Sequence, residues 1–109
     1  ATTIITSAAS FAPHHWRGGD VPEVTRTFRS SLAWRLCLVA EGRFDIALSL
    51  RPAWEWDIAA GALIAARAGV ISTDRTGAPL RFNRPTPQSN GLITAQPDLH
   101  RTLAAKILP

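Results

Sequence analysis

Two carboxylates, Glu55 and Asp57, open a segment that is otherwise almost wholly apolar: Trp54-Glu55-Trp56-Asp57-Ile58-Ala59-Ala60-Gly61-Ala62-Leu63-Ile64. From Ile58 to Ala66 every residue is Ala, Gly, Leu or Ile, which predicts a helix buried on nearly all sides. A carboxylate at the mouth of such a helix has two physical uses. It can accept the free amides of the first turn and complement the positive end of the helix dipole. It can instead reach into a cleft and hold a hard cation such as Mg²⁺, which takes oxygen ligands. Residue type and spacing leave both uses open. His14-His15 invites a metal reading as well, but adjacent histidines on an irregular segment rarely converge on one ion, and solvated loop residues are expected.

The elements that must position these groups follow from pattern. Residues 2–6 read as a strand, 7–22 as a loop and 24–29 as a short strand. Ser30 or Ser31 can cap a largely buried helix over 31–41, closed by Gly42. Phe44, Ile46, Leu48 and Leu50 alternate with Asp45, Ala47 and Ser49, a period of two that predicts a strand. A helix over 54–68 follows, with Trp56 packing to set its approach angle. Then come a strand over 70–73, a turn at 74–77, a short partner strand at 80–82, a strand at 92–95 and a last helix over 97–108. Strands alternating with helices at this spacing indicate an α/β fold, a layered helix-sheet-helix domain with one mixed sheet.

The 109 residues, 46% hydrophobic, suffice for one domain with a modest core over 1–109. No apolar run reaches the roughly 18 residues of a membrane span. The single Cys37 cannot pair internally; it suits a reducing cytoplasm and reads as a small buried hydrophobe. Net charge is +4, but the arginines are scattered and the four Trp and four Phe mostly fall inside apolar patterns. A nucleic-acid surface wants basic residues clustered with interleaved aromatics, so composition argues against nucleic acid as a partner.

Trp56-Asp57-Ile-Ala-Ala-Gly-Ala-Leu-Ile with Ala68-Gly69 resembles a signature of the inositol monophosphatase family, Mg²⁺-dependent, lithium-sensitive phosphatases that include the 3'(2'),5'-bisphosphate nucleotidases. Three further segments fit in order: Ser30 to Asp45, Thr73-Asp74-x-x-Gly77-x-Pro79-Leu80, and Asn90 to Ala95. Relatives carry further metal carboxylates in Gly-Asp-x-x-Glu and Asp-Pro-x-Asp-Gly-Thr segments, and neither occurs here. The expectation is therefore the carboxy-terminal half of a two-domain enzyme, with the carboxy-terminal fold of the sugar phosphatases and no catalytic residue of its own.

The resemblance implies that Asp57 ligates Mg²⁺ across the domain interface while Glu55 serves as a first-turn dipole partner. It implies substrate contacts from the small-residue turn Ser30-Ser31-Leu32 and, on the strand before Trp-Asp, from the Ser49 region. The inositol-contacting Glu of inositol monophosphatases is absent there, and Ser49-Leu50-Arg51 carries one inserted residue. Arg35 has the spacing of a basic residue that approaches a second phosphate in the nucleotidase branch, although it could equally pair with Asp45. The implied partners are a small phosphorylated substrate, the amino-terminal half and a second copy in a homodimer, in the cytoplasm. Two alternatives stand beside this reading: a non-catalytic domain that kept the fold, and a small basic nucleic-acid-binding module.

Overall fold

The alternating segments assemble into a five-stranded mixed sheet with helical layers on both faces in the computed structural model, which describes residues 2–109. The strands are β1 (Thr3–Ile5), β2 (Thr25–Thr27), β3 (Ile46–Ser49), β5 (Ile71–Thr73) and β7 (Leu92–Ala95), in the order β2-β1-β3-β7-β5. A separate two-stranded ribbon joins β4 (Ala53–Trp54) to β6 (Gln88–Ser89). The helices are α1 (Leu32–Ala40), α2 (Glu55–Arg67) and α3 (Pro97–Lys106). β1 runs parallel to β2 and β3, whereas β7 is antiparallel to both β3 and β5.

The alternation along β3 and β7 sends side chains into two cores rather than one core and solvent. Ile46, Leu48, Ile93 and Ala95 meet Leu103 and Ile107 at and beyond α3 on one face. Ala47 meets Val39, Ala65 and Val70 on the other, where Leu92 joins Leu36 and Ile58. The period of two was therefore legible, but the small size of Ala47 and Ser49 concealed that both faces are covered. Among the described residues no helix is long and apolar enough to cross a membrane.

Three expectations change. The 7–22 stretch is a chain of three 3-10 turns (Ala8–Phe11, Pro13–His15, Arg17–Gly19) wrapped around Trp16, which is 1% exposed and donates its indole N–H to the Ser10 carbonyl at 2.8 Å. Residues 80–82 form no strand; only Pro79 bridges to Thr73, and Gln88–Ser89 is the segment that pairs. Most sharply, α2 buries only Glu55, Ile58, Gly61 and Ala65, while Leu63 is 62% exposed and Ile64 stands open. Ile58, Gly61 and Ala65 form the single stripe that α1 can reach.

Gly61 sets the distance between those helices. A Cβ there would stand 2.6 Å from Leu36 Cδ1 and 2.9 Å from Leu36 Cβ, so the backbone of α2 lies directly on that side chain. Gly61→Ala gains about 1 kcal/mol of helix propensity but meets overpacking of about 1–3 kcal/mol, because Leu36 Cβ cannot swing away. The melting temperature should fall, and a raised value in thermal denaturation would show that the helices are not in this contact.

His100 ties α3 to the sheet: its Nε2 lies 2.7 Å from Thr73 Oγ1, and both residues are buried. Burial pushes the His100 pKa below its usual 6.5. Burial, then His14 and Arg75, lower His15 in the same direction. The unfolded chain takes up protons as pH falls through about 6.5 while the folded imidazole stays neutral, so the stability is complete above that pH and lost below it. Melting temperature should drop between pH 7 and pH 5. His100→Gln should flatten that drop, whereas an identical pH profile in the variant would exclude the histidine as its source.

Candidate functional site

A cleft of about 630 Å³ opens where the carboxyl end of β3, the start of α1 and the β4–β6 ribbon meet. The crevice beyond strand carboxyl ends is where open α/β sheets commonly bind ligands. Its wall brings together Ser30, Leu32, Arg35 and Ser49, four of the residues singled out from sequence, and adds Arg51 and Gln88. Ser31 and Asp57 do not line it.

The two serines divide their work. Ser31 Oγ accepts the Trp34 amide at 3.2 Å and caps α1, while Ser30 stands in the preceding bend and faces the cleft. Ser49 Oγ donates to the Arg51 carbonyl at 3.0 Å, which braces the turn leaving β3.

Arg35 is 8% exposed, its Nε donating to the Arg29 carbonyl and its guanidinium lying 5.0 Å above the Phe28 ring. Burial lowers its pKa, yet a guanidinium remains a cation at neutral pH. Asp45 is not its partner. It sits at the opposite end of β3, accepting the Thr3 amide at 2.8 Å and the Thr3 hydroxyl at 3.1 Å. Among the described residues neither Arg35 nor Arg51 enters an ion pair. The cleft thus presents two uncompensated cations with Ser hydroxyls beside them, an arrangement suited to an anion such as a phosphate.

Asp57 lies exposed in the first turn of α2, a helix with no side-chain cap of its own. No three His, Cys, Asp or Glu residues gather into a metal-binding group among the described residues. Mg²⁺ demands an octahedron of oxygens and keeps several waters, so Asp57 by itself makes no site for it. The His14 and His15 rings lie 4.0 Å apart, tilted 41° to each other, on their 3-10 turn, and belong to no metal-binding group among the described residues.

Glu55 does more than complement the dipole. It is buried, and its carboxylate accepts the amides of Asn83 at 2.7 Å and Arg84 at 3.3 Å. Trp56, expected to pack, is 67% exposed and stacks on Trp54 with ring centroids 4.7 Å apart. Phe28, Trp34, Trp54 and Phe82 are also exposed, so of the tryptophans only Trp16 belongs to the core. The guanidiniums cross between Phe28-Arg29 and Trp34-Arg35: Arg35 lies over the Phe28 ring and Arg29 lies 5.5 Å above Trp34, pairings that adjacency in sequence does not announce.

Comparison with known proteins bears on the family and the fold. The sequence model described as "Inositol monophosphatase family" matches residues 2–108. The SuhB protein of Neisseria meningitidis serogroup A is 57% identical over 44 residues, covering 38% of this chain and 16% of that protein. Among solved structures, inositol monophosphatase-II of Staphylococcus aureus superposes with a TM-score of 0.78 at 15% identity, covering 95% of this chain and 39% of that one. CysQ of Bacteroides thetaiotaomicron gives 0.69 at 26% identity, covering 87% of this chain and 37% of that one. The chain thus spans about two fifths of the solved relatives it matches. On the family match over nearly its whole length, and the mixed sheet it shares with those structures, the chain belongs to the inositol monophosphatase family.

Proposed function

We propose that this chain is the carboxy-terminal domain of a Mg²⁺-dependent, lithium-sensitive phosphate monoesterase of the cytoplasm. The observation that carries the reading is the cleft in which Ser30, Arg35, Ser49 and Arg51 converge with no carboxylate paired to either cation. In this proposal Arg35 and Arg51 hold the anionic substrate, and Ser30 and Leu32 leave room for a ribose or polyol ring to approach the start of α1. Asp57 is one oxygen ligand to Mg²⁺, and the amino-terminal half supplies the remaining carboxylates. The bound cation would polarise the phosphoryl oxygen and activate water.

The substrate class follows from charge. Among the described residues no acidic side chain lines the cleft to recognise an inositol hydroxyl, whereas two arginines do line it. That favours a nucleotide with a second phosphate, such as 3'-phosphoadenosine 5'-phosphate, over inositol monophosphate. Structures of the Staphylococcus aureus protein hold inositol monophosphate in one case and 2'AMP, a nucleotide with a single phosphate, in another, so that relative takes both a polyol and a nucleotide monoester.

The 109 residues alone should release no phosphate from monoesters in the presence of Mg²⁺, because one carboxylate cannot fix the ion. In the full-length protein Asp57→Asn keeps the size of the side chain but removes the charge that draws the cation. Turnover should fall by several orders of magnitude, since metal stabilisation is worth several kcal/mol and each ~1.4 kcal/mol is tenfold in rate. Melting temperature should change little, at a cost of about 1 kcal/mol or less. Near-normal turnover with reduced stability would remove Asp57 from the metal site and leave it only a helix-dipole role, whereas absence of turnover in the intact wild-type protein would favour a domain that kept the fold without the chemistry.

A further inference from the structure

The start of α2 is held from outside the helix. Trp54, its N-cap, offers no side-chain hydrogen bond. Instead the Glu55 amide donates to the Pro87 carbonyl at 2.9 Å, while the Glu55 carboxylate accepts from Asn83 and Arg84. The peptide before it is pinned by the ribbon, Trp54 pairing with Gln88 and Ala53 with Ser89. Asn83 is the one non-glycine among the described residues with positive φ, at 62°, a conformation that costs free energy unless something outside the residue maintains it. A buried carboxylate receiving two amides supplies that restraint, and it lies two positions before Asp57 on the same turn.

We infer that Glu55 is a positioning residue: it clamps the 83–87 segment to the first turn of α2 and thereby fixes the direction in which Asp57 leaves the helix. The exchange works as a capping box built across the tertiary structure, with donor and acceptor traded between the helix start and a distant loop. The same clamp bears on the cleft wall, because Gln88, the partner of Trp54, lines that cleft. The consequence for metal holding rests on the proposed role of Asp57; the clamp itself does not.

The stacked Trp54–Trp56 pair straddles Glu55 and gives a readout, since two indoles 4.7 Å apart couple electronically and give an exciton couplet in circular dichroism wherever their in-plane transition moments are skewed, a signal lost when either ring turns away. Glu55→Gln turns one acceptor oxygen into a donor that opposes an amide. The expected result is loss of the couplet and at least tenfold faster hydrogen exchange at the amides of Glu55, Asn83 and Arg84, with the β7 amides of Ile93 and Thr94 unchanged. An intact couplet with unchanged exchange at 83 and 84 would overturn the inference. Equal loss of protection in β7 would overturn it too, by making Glu55 a support of the whole fold. Should the Gln variant not fold, Glu55→Asp, which withdraws the carboxylate by one methylene, is read by the same criteria. Asp57→Asn should leave couplet and exchange intact, so failure of the metal reading and failure of the clamp give different results.

Discussion

Everything in this fold depends on β3 and β7 being covered on both faces. Two adjacent antiparallel strands whose side chains alternate between two cores cannot face water on either side, so each face must receive its own helical layer. α3 and the 3-10 turns around Trp16 fill one side; α1 and α2 fill the other. The second layer must be thin, because Ala47 gives little height to its side of β3. Within that layer Gly61 lets the two helices approach each other, α2 settling onto Leu36 of α1. Both helices of that layer then begin near the end of the sheet where β3 delivers Ser49 and Arg51.

That arrangement concentrates positive charge without neutralising it. Arg35 sits on a mostly buried turn, its stem shielded by Phe28 and one N–H spent on a backbone carbonyl, which holds the guanidinium in one orientation. A fixed, partly desolvated guanidinium interacts with an anion more strongly than a solvated surface one does, because the effective dielectric around it is lower. Lysine, a flexible point charge, would not offer the same planar pair of donors to phosphate. The basic excess of the chain is thus less informative than the place where two arginines stand without acidic partners.

The start of α2 is where the local and the tertiary meet. A helix that opens with Trp-Glu-Trp-Asp and carries no Ser, Thr or Asn cap relies on groups far away in sequence to satisfy its first turn. The loop from Asn83 to Ser89 meets that need with the Pro87 carbonyl, which accepts the Glu55 amide, while its own Asn83 and Arg84 amides donate to the Glu55 carboxylate and its end pairs with β4. In return it is held in a conformation it would not keep alone. Asp57 is left free of intramolecular duty on that turn.

The sequence by itself determined the layered α/β fold, the family, a serine cap at position 30 or 31 and the period of β3. These rest on short-range pattern: alternation, capping chemistry and motif spacing act within a few residues and leave their mark in composition. Tertiary structure alone decided the rest. The apolar run of α2 reads as buried everywhere, yet only the stripe that touches α1 is, because hydrophobicity records a preference and not which surface a neighbour reaches. Glu55 and Asp57 share a turn and a charge, but one points to a loop 28 residues away and the other to solvent. Trp16 in an apparent loop anchors a core, and Trp56 in an apparent core lies open. The direction of a side chain is fixed by the packing of elements distant in sequence, and no local pattern carries that information.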